Sequence, residues 1–139
     1  MRFKTVAVLF VLATAGSVSP IAAHHSVPMT FDTSRELTIQ GVITNIEWKN
    51  PHTRFWLDVR NADGTISSWE LETAPPNTLR RTVGLDFIKA RDQVTVVLWQ
   101  AKDGARLGHA LTVTLPDGRV FNTSRREITN SWQMPATPK

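Results

Sequence analysis

The chain has 139 residues, with 16 Lys+Arg against 12 Asp+Glu, four histidines and no cysteine. That length suits one domain with one core, and the missing cysteine excludes disulfides and thiolate metal sites. The formal charge of +4 is small and the acids are interspersed with the bases, so composition gives no argument for nucleic acid.

The chain opens with Arg2 and Lys4, then the apolar run Val6 to Leu12, then small residues and Pro20 leading to Ala22-Ala23. Basic, apolar, small is the layout of a secretory signal peptide. The run is well short of the roughly 20 residues a bilayer-crossing helix needs. Cleavage after Ala23 puts Ile21 and Ala23 at the third-last and last positions, whereas cleavage after Ala22 would put Pro20 third-last. Residues 1–23 are therefore expected to leave, giving a periplasmic or secreted protein that begins at His24, with Ala23 as the alternative start. Losing Arg2 and Lys4 and no acid lowers the charge to +2. No later segment is apolar enough to span a membrane.

Residues 24–36 read as a polar N-terminal arm. Leu37 to Trp48 then alternates, with Leu37, Ile39 and Ile43 on one parity and Val42, Ile46 and Trp48 on the other. The phase is expected to change at Gly41, as at a bulge or bend. Thr53 to Arg60 places Phe55, Leu57 and Val59 on one face. Asn61 to Gly64 reads as a hairpin turn, and Thr65 to Glu72 returns with Trp69 and Leu71 inward. Pro75 and Pro76 stop the pattern; Asn77 or Thr78 can cap a short helix over Leu79 to Val83, ended by Gly84. Asp92 to Ala101 is apolar on both parities and is expected to be the most buried strand. His109 to Leu115 returns, and Pro116 to Gly118 turns again. The barrel domain is expected over 37–129, with a loose tail over 130–139.

Three strands, a short helix and two strands is the order of the OB-fold, a small five-stranded Greek-key barrel. The expected class is therefore all-β with one short helix.

Four stretches together resemble a known group: "AAHHS" (Ala22 to Ser26), "GVITNIEWKNPH" (Gly41 to His52), "NTLRR" (Asn77 to Arg81) and "AKDGARLGHALTVTLPDGR" (Ala101 to Arg119). The sequence resembles an uncharacterised family of exported bacterial proteins carrying a domain of unknown function, over nearly all of the chain after the signal. The resemblance implies an exported β-barrel and no established activity. One departure is the turn "IKARD" (Ile88 to Asp92), where the family pattern would read like "LKPGD".

The histidines carry the sharpest chemical expectation. A chain starting at His24 offers an α-amine and the His24 imidazole as one chelate, with His25 beside them. His52, in the "NPH" turn, would supply a third nitrogen, and such sites favour Cu(II). The bland alternative is that His24 and His25 merely suit processing and that His52 bonds turn carbonyls. His109 reads as a solvated or turn-bonded residue rather than a ligand. Zinc is disfavoured because no closed four-ligand set is present.

Trp56 shares its strand face with Arg54, Asp58 and Arg60, opposite the core set. An aromatic among charges on the second strand is where OB-folds usually present stacking residues. Equally, the arm or the tail carrying Trp132 could cover it. Trp69 and Trp99 are expected in the core, and Trp48 in the core or at the rim. Arg80-Arg81 and Arg125-Arg126 are too scattered for a nucleic-acid surface. Glu70 and Glu72 share one face, but no nucleophile elbow, phosphate loop or H-E-x-x-H appears. The expectation is a small non-enzymatic exported binding module. Its ligand is copper at His24, His25 and His52, or else a peptide, glycan, small molecule or periplasmic protein over Trp56 and Arg54; copper-dependent redox catalysis is the weakest reading.

Overall fold

The computed structural model describes residues 26–124. The expected signal peptide, His24, His25, Trp132 and the 130–139 tail lie outside that range. The elements run α1 (Val27–Thr30), β1 (Phe31–Glu47), β2 (Thr53–Arg60), β3 (Ile66–Thr73), α2 (Pro76–Thr82), β4 (Gln93–Ala101), β5 (Leu107–Thr114) and β6 (Val120–Asn122).

β1 begins at Phe31, well before the predicted Leu37. Residues 32–35 make no ladder pairs: the β1–β4 register jumps from Phe31↔Ala101 to Glu36↔Trp99. The Asp32 carboxylate accepts the Ser34 amide at 3.1 Å instead, a local bond that occupies an otherwise open strand edge. Polar extended backbone of this kind has no apolar alternation to reveal it. The change of phase also moves. It falls at a bulge between Ile43 and Asn45 in the β1–β2 pairing, so Ile43 and Ile46 both turn inward. Gly41 instead marks a close approach to β2, where an added Cβ would overlap the Asp58 carbonyl oxygen and lie 2.9 Å from its carbon.

β2 and β3 form the predicted hairpin in unbroken register, Phe55↔Leu71 and Leu57↔Trp69 among the pairs. Gly64 takes the left-handed φ of 84° that this turn needs, and Asp63 accepts the Thr65 amide at 3.0 Å. Pro75 and Pro76 end β3 and open α2, with Pro76 in the first turn where no amide donor is missed. The helix therefore starts slightly before the predicted Leu79 and has no side-chain cap. Leu79 is fully buried, and the Gly84 amide closes the helix on the Leu79 carbonyl at 2.9 Å.

β1 pairs with β2 and β4, β2 with β3, β4 with β5, and β3 with β5 in parallel. The circuit β1–β2–β3–β5–β4–β1 is the OB order, as the sequence predicted. The closure is short: β3 and β5 share only the Glu70↔Leu107, Leu71↔Gly108 and Glu72↔His109 pairs. Further along the same edge β5 pairs with β6, a short strand that follows the predicted Pro116–Gly118 turn. Thr123 seals the seam. Its amide donates to the Leu111 carbonyl at 2.9 Å, and its own carbonyl accepts the Ala74 amide and the Thr73 hydroxyl.

Because β5 pairs with three strands, β3, β4 and β6, it is the most enclosed, with Gly108 to Leu111 buried in succession. β4, expected to be so, alternates between buried Val94, Val96 and Leu98 and half-buried Thr95, Val97 and Trp99. Ile43, Phe55, Leu57, Leu71, Leu79, Val96, Leu98 and Val113 form the solvent-free centre of the core. Trp69 joins this cluster as predicted; Trp99 does not.

The "IKARD" turn shows what its departure does. Arg91 has a φ of 77°, a conformation that costs a side-chain-bearing residue about 1–2 kcal/mol. Glycine avoids this but loses more backbone entropy on folding. Arg91→Gly is therefore expected to stabilise the fold by about 1 kcal/mol, read as a higher urea midpoint at unchanged slope. An unchanged or lower midpoint would show that the arginine makes compensating contacts.

Candidate functional site

Of the sequence-predicted residues, His52, Arg54 and Trp56 are described, and they lie on or beside the outer face of β2 and β3. Ladder pairing sets which side chains neighbour one another there. Arg54 is opposite Glu72, and Trp56 is opposite Glu70. Parallel pairing then puts His109 beside Glu72, and antiparallel pairing puts Trp99 beside His109. One row thus runs Arg54, Glu72, His109, Trp99 across four strands.

Arg54 and Trp56 are brought together as predicted. Trp56 is half-buried, neither bare nor covered. Arg54 reaches Glu70 at 3.5 Å with both side chains well exposed, a pair that contributes little to stability. The face has both signs of charge around one aromatic ring.

His52 follows the cis Asn50–Pro51 peptide and is partly buried. Its Nδ1 lies 3.2 Å from the Thr73 carbonyl. A carbonyl only accepts, so Nδ1 carries the hydrogen and donates in this contact, which leaves Nε2 uncommitted to Thr73. His52 thus bonds a carbonyl at the end of β3 rather than one of its own turn. His24 and His25 lie outside the described residues. Among the described residues, no three of His, Asp and Glu converge as a set able to hold a metal.

His109 departs from expectation. It is buried at 6% exposure, not solvated. Its ring stacks on Trp99 with centroids 6.0 Å apart and meets Phe31 at 5.7 Å. Its Nδ1 is 3.5 Å from the Glu72 carboxylate and has no well-formed hydrogen bond. Burial alone would push the Glu72 carboxyl up. The His109 contact and the charges of His52, His109 and Arg54 outweigh burial and hold it below the usual carboxylate range. Glu72 is thus an ionised, half-buried carboxylate between two histidines. Sequence reasoning noted that Glu70 and Glu72 share a face but had no means of joining Glu72 to His109. Only the pairing of two strands that are not consecutive brings them together.

A shallow cleft of 420 Å³ lies elsewhere, lined by Phe87, Lys89, Arg91, Leu115 and Arg119 among others. Its charges are partly satisfied internally. Asp117 accepts from Arg119 at 2.8 Å and Asp92 from the Lys89 amide at 2.8 Å. None of the described sequence-predicted site residues lines it.

A small OB-ordered barrel with a mixed aromatic and charged outer face is compatible with a binding module. The chain belongs to the family of unknown function DUF6152, whose model matches residues 11–110. No curated protein matches. Among solved structures the fold is similar to Rim1, a mitochondrial single-stranded DNA binding protein from S. cerevisiae, at 12% identity and a TM-score of 0.48; the match covers 63% of this chain and 96% of that one. Among the described residues, no helix is long and apolar enough to cross a membrane.

Proposed function

We propose that the protein is exported, loses residues 1–23 and works as a small copper-binding module. The α-amine and imidazole of His24 form the primary chelate, with His52 as the third nitrogen and His25 as a substitute. The observation that carries the reading is the contact of the His52 ring with the Thr73 carbonyl. The ring's Nδ1 is committed to the Thr73 carbonyl, which is how ligating histidines are commonly oriented, with the other nitrogen kept for the metal.

The test is a copper titration of the processed protein, followed by thermal unfolding. Ligand that binds only the folded state stabilises it by about 2.7 kcal/mol at a hundredfold excess over the dissociation constant. The gain will be smaller here, because unfolded chain keeps the His24 chelate. His52→Ala is expected to remove most of the copper-induced rise in melting temperature while weaker N-terminal binding persists. Affinity should fall below about pH 7, since these nitrogens bind deprotonated. A full shift retained in His52→Ala would make His52 a turn residue only.

A second reading rests on Trp56, half-buried on the outer face beside Arg54. It offers a stacking platform for a peptide, glycan or small molecule. Absence of any copper shift in protein with its native N-terminus would leave this reading in place.

A further inference from the structure

Part of β1 has a partner along only one edge. Among the described residues, Glu36 to Val42 pair with β4, and the ladder to β2 on the opposite edge starts only at Val42. Glu36 to Gly41 therefore present alternate amides and carbonyls unpaired along that opposite edge. Sheets usually protect such an edge with proline, lysine or a bulge. The preceding stretch is protected in this way, since the register slips between Phe31 and Glu36 and Asp32 takes up the Ser34 amide. The stretch "ELTIQG" has no proline and no lysine, and its register with β4 is unbroken. Its core-facing residues are also incompletely covered. Leu37 and Ile39 lie opposite buried Leu98 and Val96 and pack against the core, yet both are only half-buried.

We propose that this edge is a self-association site: a second copy of the chain lays its own Glu36 to Gln40 antiparallel along the first, joining two barrels through one continuous sheet. A free strand edge accepts a further strand through main-chain hydrogen bonds, and a two-fold interface requires the stretch to match itself. It does so in one register. With Thr38 opposite Thr38 of the second copy, Leu37 lies opposite Ile39 and Glu36 opposite Gln40, each pair occurring twice. The core-facing side of the junction is then apolar and the outer side polar, with a threonine pair at its centre. Charge agrees with this choice. Glu36, the one charged residue of the stretch, meets a neutral glutamine rather than its own copy. Other registers fail on named residues. Centring on Leu37 would put Arg35 opposite Ile39. Centring on Ile39 would draw in Val42, whose edge is already taken by Asp58 of β2. A slip of one residue would set Leu37 beside Thr38 and turn the apolar set of the second copy outward. The inference does not depend on copper or on the Trp56 face.

The test is sedimentation equilibrium of protein expressed from the whole chain, together with cysteine cross-linking, since the chain has no cysteine of its own. The mass should rise with concentration from one copy towards two and be mostly dimer by about 100 μM, the weak end that so short a ladder implies. Thr38→Cys should give a disulfide-linked dimer on mild oxidation, because directly opposed Cβ atoms lie about 4.5–5.5 Å apart. Gln40→Cys should not, because its two copies are four residues out of step, about 13 Å along the strand. Both positions are exposed, so neither change should disturb the barrel. Thr38→Lys should weaken the dimer about fivefold, as expected of like charges placed directly opposite one another, with the melting temperature of the single copy unchanged. Wild-type protein that stays a single copy up to that concentration overturns the proposal, as does equal cross-linking from Thr38→Cys and Gln40→Cys. Single-copy protein whose 36–41 amides are nonetheless protected from hydrogen exchange also overturns it, and gives the edge to another part of the same chain.

Discussion

Phe55→Ala is expected to cost about 3–5 kcal/mol, the range for deleting a buried aromatic side chain. Phe55 is fully buried and lies opposite Leu71 and Ile46 in the two ladders flanking β2. Its neighbours there are held by backbone pairing on both sides, so the cavity has little freedom to collapse. Trp56→Ala, one residue on, should cost only about 1 kcal/mol, of the order of a cross-strand pair, because the indole is on the outer face and half-buried. Urea midpoints at constant slope measure both. Equal and large losses would mean that Trp56 is covered, and the stacking platform would be withdrawn with it.

Gly41→Ala should be nearly as damaging despite adding a single methyl group. The new Cβ would overlap the Asp58 carbonyl oxygen and approach the Leu57 side chain at 3.0 Å. The obstructing atoms belong to backbone in the ladder, so relief requires β1 and β2 to separate just where β1 passes from one partner to the other. Forced overpacking of this kind costs about 1–3 kcal/mol, and the upper end is expected here. A midpoint within error of wild type would show that β1 can shift away from β2 without loss.

The architecture was largely legible because its signals are local. The alternation of Phe55 and Leu57, the Asp63-Gly64 turn and the Pro75-Pro76 break each state what the nearby backbone does, and together they give the order of an OB barrel. What escaped the reading depended on distant partners. Nothing local marks Asp32 to Glu36 as extended, since their only ladder contact is Glu36 with Trp99 on β4. β6 is three residues long and forms because β5 has a vacant stretch of edge. His109 looked solvated because it opens a strand after a polar turn; it is buried because β3 arrives on one side and Phe31 above it. The bend was assigned to Gly41 because glycine is the visible irregularity, whereas the bulge at Thr44 leaves no mark on composition.

β1 meets its partners at very different times. Its second half pairs with β2, the next strand to be made, but its first half has no partner until β4, and Phe31 waits for Ala101. The parallel β3–β5 contact is similarly delayed. Contacts between distant parts of a chain form slowly, because the intervening loop must be closed before they give anything in exchange. The β1–β2–β3 meander can therefore form early as two local hairpins, while barrel closure is a late, concerted step that begins when β4 and β5 become available. A chain delivered N-terminus first passes through an interval in which Phe31 has no shelf to rest on. The last long strand to arrive, β5, is also the one that joins the most neighbours, so its arrival converts an open meander into a barrel with the N-terminal segment fastened down.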